Sequence, residues 1–201
     1  MDYTRYLKNK NVNLNKKISI PKFCRLEIET KKFIDFAKTH KPIRKWHHPR
    51  SFLTKQANEQ MSMNNALGYN RHNTMESNWG LGASQNEKLL DILGSKNIKK
   101  LKIDPDKILC RLLKYDPGQT LPLHTDGFEG FSRKFGSNGV PVRYFVSVSD
   151  WDWGHMLQVH NNTISNWKAG DTYIIPPGIF HASANFGITP KYTLTITGFV
   201  I

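Results

Sequence analysis

The sequence predicts a mainly β chain with flanking helices, its C-terminal half folded as a jelly roll. Eight short β-type runs follow one another from residue 108 onward, and eight is the strand count of a jelly roll. The breaks between them carry turn chemistry, as in Asp116-Pro117-Gly118 and Pro176-Pro177-Gly178. Helix-type patterning is confined to the residues before 108, so helices are expected to pack on the outer face of the larger sheet.

Residues 1–20 are polar and basic, and little order is expected at that end. Residues 30–40 read as a helix with Phe33, Ile34 and Ala37 on one side and Lys31, Lys32 and Lys38 mostly opposite. Residues 56–83 show no sustained periodicity. That is long for a structureless loop, so the stretch is either functional or holds short elements. Ser84-Gln85-Asn86-Glu87 fits a capping box, and the helix it opens runs through Leu89, Leu90, Ile92 and Leu93 to a stop at Gly94. The β-type runs then fall at 108–115, 121–124, 141–149, 155–160, 163–167, 171–175, 181–186 and 193–201. With 201 residues, a single domain is expected, residues 1–107 packing on a core of residues 108–201.

Composition excludes several classes. No apolar run approaches the ~20 residues that span a bilayer, so no membrane partner is expected. The start, Met1-Asp2-Tyr3-Thr4-Arg5, lacks the apolar stretch of a secretory signal. Cys24 and Cys110 are far apart and suggest neither a disulfide framework nor a zinc site, so a cytoplasmic location is expected. Residues 1–55 hold 15 Lys/Arg against 4 Asp/Glu, while residues 56–201 hold 14 against 12. The basic excess therefore lies ahead of the β-rich half. It is either a solvated surface or a patch for an acidic partner such as nucleic acid.

His124-Thr125-Asp126 lies where a run meets a glycine-rich segment. Residues two apart on a strand share a face, so His124 and Asp126 can converge, and His181 is the best candidate for a third ligand. Two histidines and one carboxylate suit Fe(II) and leave coordination positions open.

These motifs lie in a recognisable context. The stretch Tyr115-Asp116-Pro117-Gly118-Gln119-Thr120-Leu121-Pro122-Leu123-His124-Thr125-Asp126 resembles the Tyr-x-x-Gly lead-in to His-x-Asp of the Fe(II)/2-oxoglutarate-dependent dioxygenases, in their prolyl-4-hydroxylase-like branch. Lys168-Ala169-Gly170-Asp171 and the run to His181 resemble that branch's Gly-Asp strand and distal histidine, 57 positions after His124. Lys191 falls 10 positions past His181, where the branch carries the cation that binds 2-oxoglutarate. The resemblance covers residues 108–201 and implies a double-stranded β-helix, the jelly-roll form of this superfamily.

The resemblance further implies metal binding and catalysis by His124, Asp126 and His181, and co-substrate binding by Lys191, Tyr115 and Thr193. As bare residues, Tyr115 could simply close a strand, and Thr193 is a β-branched residue that needs no function there. Arg143 resembles an arginine of many relatives, its role open. The implied cofactors are Fe(II) and 2-oxoglutarate, with ascorbate as an optional auxiliary reductant. The implied reaction uses dioxygen to hydroxylate a prime substrate, releasing succinate and CO2. That substrate would be a peptidyl residue (proline first), a free amino acid or another small molecule. A nucleic-acid demethylase is the second reading, although its branch has arginines after the distal histidine and residues 182–201 contain none. A non-catalytic jelly-roll binding module is the third. The segment 127–140, with three phenylalanines among its glycines, is expected to be a lid or a long hairpin loop.

Overall fold

The computed structural model describes residues 19–42, 55–70, 72–75 and 77–201. The elements begin with β1 (Lys22–Arg25), α1 (Thr30–Thr39), α2 (Lys55–Ala66), β2 (Ser77–Trp79), α3 (Ala83–Leu93) and α4 (Ser95–Lys100). Then come β3 (Leu109–Tyr115), β4 (Thr120–His124), α5 (Glu129–Phe135), β5 (Pro141–Ser147), β6 (His155–Val159) and β7 (Asn162–Ile164). β8 (Asp171–Ile175), β9 (His181–Asn185) and β10 (Lys191–Phe199) close the chain. The expectation for residues 1–18, with most of the basic segment, lies outside the described residues.

β3 to β10 form a double-stranded β-helix. They divide between two antiparallel sheets, β8-β5-β10-β3 in the larger and β4-β9-β6-β7 in the smaller, where β6 and β7 form a hairpin. β1 and β2 extend the larger sheet at its two edges, pairing with β8 and β3. The N-terminal part is thus not only helix and loop. It also supplies the strands that cover edges otherwise open to pairing with another chain.

Alternation along the strands decides what each face holds. Cys110 and Leu112 of β3, Val142, Tyr144 and Val146 of β5, and Leu194 and Ile196 of β10 face outward to Phe33, Phe36, Leu89 and Leu93 of the helices. Among the strand residues between these, Arg111, Leu113 and Tyr115, Arg143 and Phe145, and Thr195 line a cleft inside the barrel. An apolar outer face and a partly polar inner one are the reverse of a simple sandwich.

The expected helices are present, with differences in detail. In α1 the buried residues are Phe33 and Phe36, with Ala37 and Ile34 only partly covered. The capping box does not form: the N-cap is Gly82, two residues before Ser84, with no side-chain cap. Gln85 instead accepts the Gly80 N–H through Oε1, at 3.1 Å. Gly94 does stop the helix, with φ of 79°. Residues 56–83 hold short elements, α2 and β2. The segment 127–140 contains α5, whose Phe131 is buried with its ring 4.8 Å from that of Phe199. That ring contact packs α5 against β10.

The Gly170-Asp171 pair has a structural task. A Cβ on Gly170 would sit 1.9 Å from the Leu26 carbonyl oxygen, so β1 docks there only against a glycine, whose φ is 84°. Asp171 accepts from Arg25 Nε at 2.6 Å and from the Lys168 N–H at 3.1 Å. Burial pushes its carboxyl up, but Arg25, that N–H and Lys22 together hold it below the ordinary 3.8. A carboxylate depressed in the folded state contributes stability above its unfolded value and loses it as pH falls through the folded value. Asp171→Asn is therefore expected to cost about 1–2 kcal/mol at neutral pH, with the difference from the parent vanishing toward pH 2. Urea unfolding at pH 7 and at low pH measures both.

Candidate metal centre and barrel cavity

His124 ends β4 and His181 opens β9, and the two are paired across the smaller sheet. Pro122 has no N–H to donate, and the pairing register shifts between Leu121 and His124. That shift brings Leu121 and His124, three residues apart, to the same cleft. Asp126 lies just past the end of β4, not on it. The three side chains nevertheless converge, with one ligand atom from each within 4.8 Å of the others. His181 Nε2 is 3.5 Å from Asp126 Oδ2, and His124 Nε2 is 3.9 Å from Oδ1.

The hydrogen bonds fix which ring nitrogens face inward. His124 Nδ1 is 2.7 Å from the Pro122 carbonyl, and His181 Nδ1 is 3.0 Å from that of Ile179. A carbonyl only accepts, so each Nδ1 carries the proton and each Nε2 presents its lone pair. Burial, reinforced by the His181 ring, pushes His124 down to about 4. His181 is lowered as well, chiefly by burial. Both rings are therefore neutral at pH 7, the state that ligates metals.

Arg143, whose role the sequence left open, donates through Nη1 to Asp126 Oδ1 and through Nε to Thr197 Oγ1 at 3.1 Å. Burial raises the Asp126 carboxyl, but the Arg143 guanidinium beside it outweighs that and holds it below the ordinary 3.8. Its other oxygen, Oδ2, is buried without a hydrogen-bond partner. A buried carboxylate oxygen left bare beside two inward lone pairs fits a metal ion. Phe128 covers the arginine, 5.2 Å from its guanidinium carbon.

Below this centre the barrel opens into a cleft of about 620 Å³, counting its mouth. Leu113, Phe145, Leu157 and Ile175 form its apolar wall, and Tyr115 and Ser183 line it toward Lys191. Lys191 heads β10 and is 1% exposed. Its Nζ donates to Ser183 Oγ at 2.6 Å and to the Met156 and Ala184 carbonyls at 2.5 and 3.2 Å. The rings of Tyr115 and Trp167 lie 4.9 and 5.3 Å from it. Among the described residues no carboxylate pairs with Lys191, and burial drives its pKa well below 10.5. The Tyr115 hydroxyl and Thr193 Oγ1 are buried on the same inner face, the tyrosine hydroxyl next to the hydroxyls of Ser183 and Thr193. All six residues singled out from sequence thus lie inside one barrel. Sequence reading missed Arg111, Asn78 and Ser183. The alternation in Cys110-Arg111-Leu112 was the available signal for an inward arginine.

The chain matches no protein-family model and no curated protein. Among solved structures it is similar to a predicted oxalate decarboxylase from Thermotoga maritima, 18% identical with a TM-score of 0.34, covering 53% of this chain and 76% of that one. A conserved protein with a double-stranded β-helix domain from Klebsiella pneumoniae is 16% identical, with a TM-score of 0.34 and coverage of 48% and 70%. A cupin 2 conserved barrel domain protein from Salinispora arenicola is 13% identical, with a TM-score of 0.33 and coverage of 46% and 63%. At these scores the likeness says nothing of activity. Among the described residues no helix is long and apolar enough to cross a membrane.

Proposed function

We propose that this chain is an Fe(II)- and 2-oxoglutarate-dependent oxygenase, hydroxylating a peptidyl residue, a free amino acid or another small molecule. One observation carries the reading: a buried lysine amine, Lys191, without a carboxylate partner among the described residues, in the same barrel as a two-histidine, one-carboxylate centre. An unpaired buried cation is costly, and a dicarboxylate that reaches the metal at one end and the lysine at the other relieves that cost. The buried hydroxyls of Tyr115 and Thr193 on the same inner face supply further donors for the same carboxylate.

His124 Nε2, His181 Nε2 and Asp126 Oδ2 would hold the iron, and Arg143 keeps Asp126 ionised and oriented. Bound iron supplies dioxygen activation coupled to decarboxylation of the keto acid, yielding succinate, CO2 and a hydroxylated substrate. Lys191 fixes the distal carboxylate, and the wall of Leu113, Phe145, Leu157 and Ile175 keeps water from the reacting groups.

The iron-loaded protein is expected to convert 2-oxoglutarate to succinate slowly without a prime substrate. Anaerobic addition of 2-oxoglutarate should also produce a weak visible charge-transfer band. Absence of both signals in iron-replete protein would reject this function in favour of a metal-binding or ligand-binding barrel without oxygenase activity.

A further inference from the structure

Arg111 is the one cation lining the cleft that the proposed chemistry leaves unused. It sits on the inner face of β3, opposite Thr195, and its guanidinium forms neither an ion pair nor a hydrogen bond with any described residue. The nearby acid, Asp126, is already held by Arg143. Asn78 of β2 also lines the cleft, is 6% exposed, and has its Oδ1 buried with no partner. β2 and β3 pair with Asn78 opposite Leu113, which makes Asn78 and Arg111 diagonal neighbours on one face. Such neighbours lie about 7–8 Å apart, somewhat less between Cβ atoms, within reach of one small molecule for long side chains. A Cβ on Gly80 would lie 2.2 Å from the Cys110 carbonyl oxygen, so a glycine there lets β2 lie close along Arg111.

Arginine offers only donors, arranged to hold a carboxylate through two parallel bonds. A bare amide oxygen, by contrast, asks for an N–H. We infer that Arg111 and Asn78 form a subsite for a free α-amino acid, Arg111 taking the carboxylate and Asn78 Oδ1 an ammonium proton. Met75 and Leu113, lining the same cleft, give its side chain an apolar wall. Lys191 cannot serve this role, since it is enclosed at the far end of β10 from Thr195 and Thr197. The subsite makes a free amino acid the prime substrate, a role that rests on the oxygenase reading, whereas binding there does not.

The test is calorimetric titration of the full chain, loaded with Zn(II) to prevent turnover, with the common L-amino acids and their primary carboxamides. At least one free amino acid should bind, and its carboxamide should bind at least about tenfold more weakly, the loss expected for a charge-assisted contact. Arg111→Gln should erase that preference, Arg111→Lys should keep part of it, and Asn78→Ala should weaken acid and carboxamide alike. Thermal melting checks that each variant folds, and the lysine variant decides the matter if Arg111→Gln does not. No binding by any free amino acid, or a preference for acids that survives loss of Arg111, would overturn the subsite. A peptide that binds while its free constituents do not would overturn it too. Succinate formation by the wild type without amino acid reports on the oxygenase reading separately.

Discussion

His181→Ala is expected to weaken metal binding by more than about 100-fold and to abolish turnover, with melting changed by only a few degrees. Losing an outer residue that merely orients a ligand typically costs 10- to 100-fold in metal affinity, so losing a donor should cost more. The fold should survive because His181 lies at the start of β9, and its ring is tied to the rest of the protein by a single hydrogen bond among the described residues, to the Ile179 carbonyl. Asp126→Ala should lose the metal equally but with a larger stability penalty, because it leaves Arg143 without its carboxylate. Metal content after dialysis, read beside circular dichroism melting, separates the two effects. Wild-type iron content and activity in the His181 variant would disprove the assigned centre.

Lys191→Met should move stability and ligand binding in opposite directions. The lysine is enclosed by Tyr115, Phe145 and Trp167 with no acid beside it, so the ligand-free protein carries the full cost of burying an amine. Replacing a buried charge with an apolar side chain of similar length is expected to stabilise that form by roughly 1–4 kcal/mol. The same change removes the contact proposed for 2-oxoglutarate, worth about 1.5–3 kcal/mol, and should raise the concentration required about ten- to a hundredfold. Lys191→Arg should lose less, because charge survives although its geometry differs. The pH dependence carries a further sign. An amine depressed in the folded state binds fewer protons there than in the unfolded chain. Ligand-free stability should therefore rise with pH toward the ordinary 10.5, and the methionine variant should lose that slope. Melting curves from pH 7 to 10, with and without 2-oxoglutarate, test all three statements. An unchanged 2-oxoglutarate requirement in Lys191→Met would place the co-substrate elsewhere.

The sequence by itself determined the eight strands after residue 108, the turns between them and the strand ends at which Tyr115, His124 and His181 lie, whereas it marked neither β1 nor β2, and β10 begins two residues ahead of its expected run, at Lys191. Those features are local: turn residues, β-branched runs and the spacing of His124, His181 and Lys191 are all written along the chain. Asp126 shows the limit, since strand alternation was the reason offered for its convergence and it lies past the strand end. Pairing across sheets decided the rest. The register shift at Pro122 aims His124, and β2 emerges from an aperiodic stretch because β3 offers it an edge. Arg143 becomes the partner of Asp126, and Asn78 comes beside Arg111, only when strands distant in sequence lie together. Local pattern records which face a residue takes. Only the closed barrel brings opposite faces within contact, and that is where a metal, a buried lysine and a bare arginine acquire their chemistry.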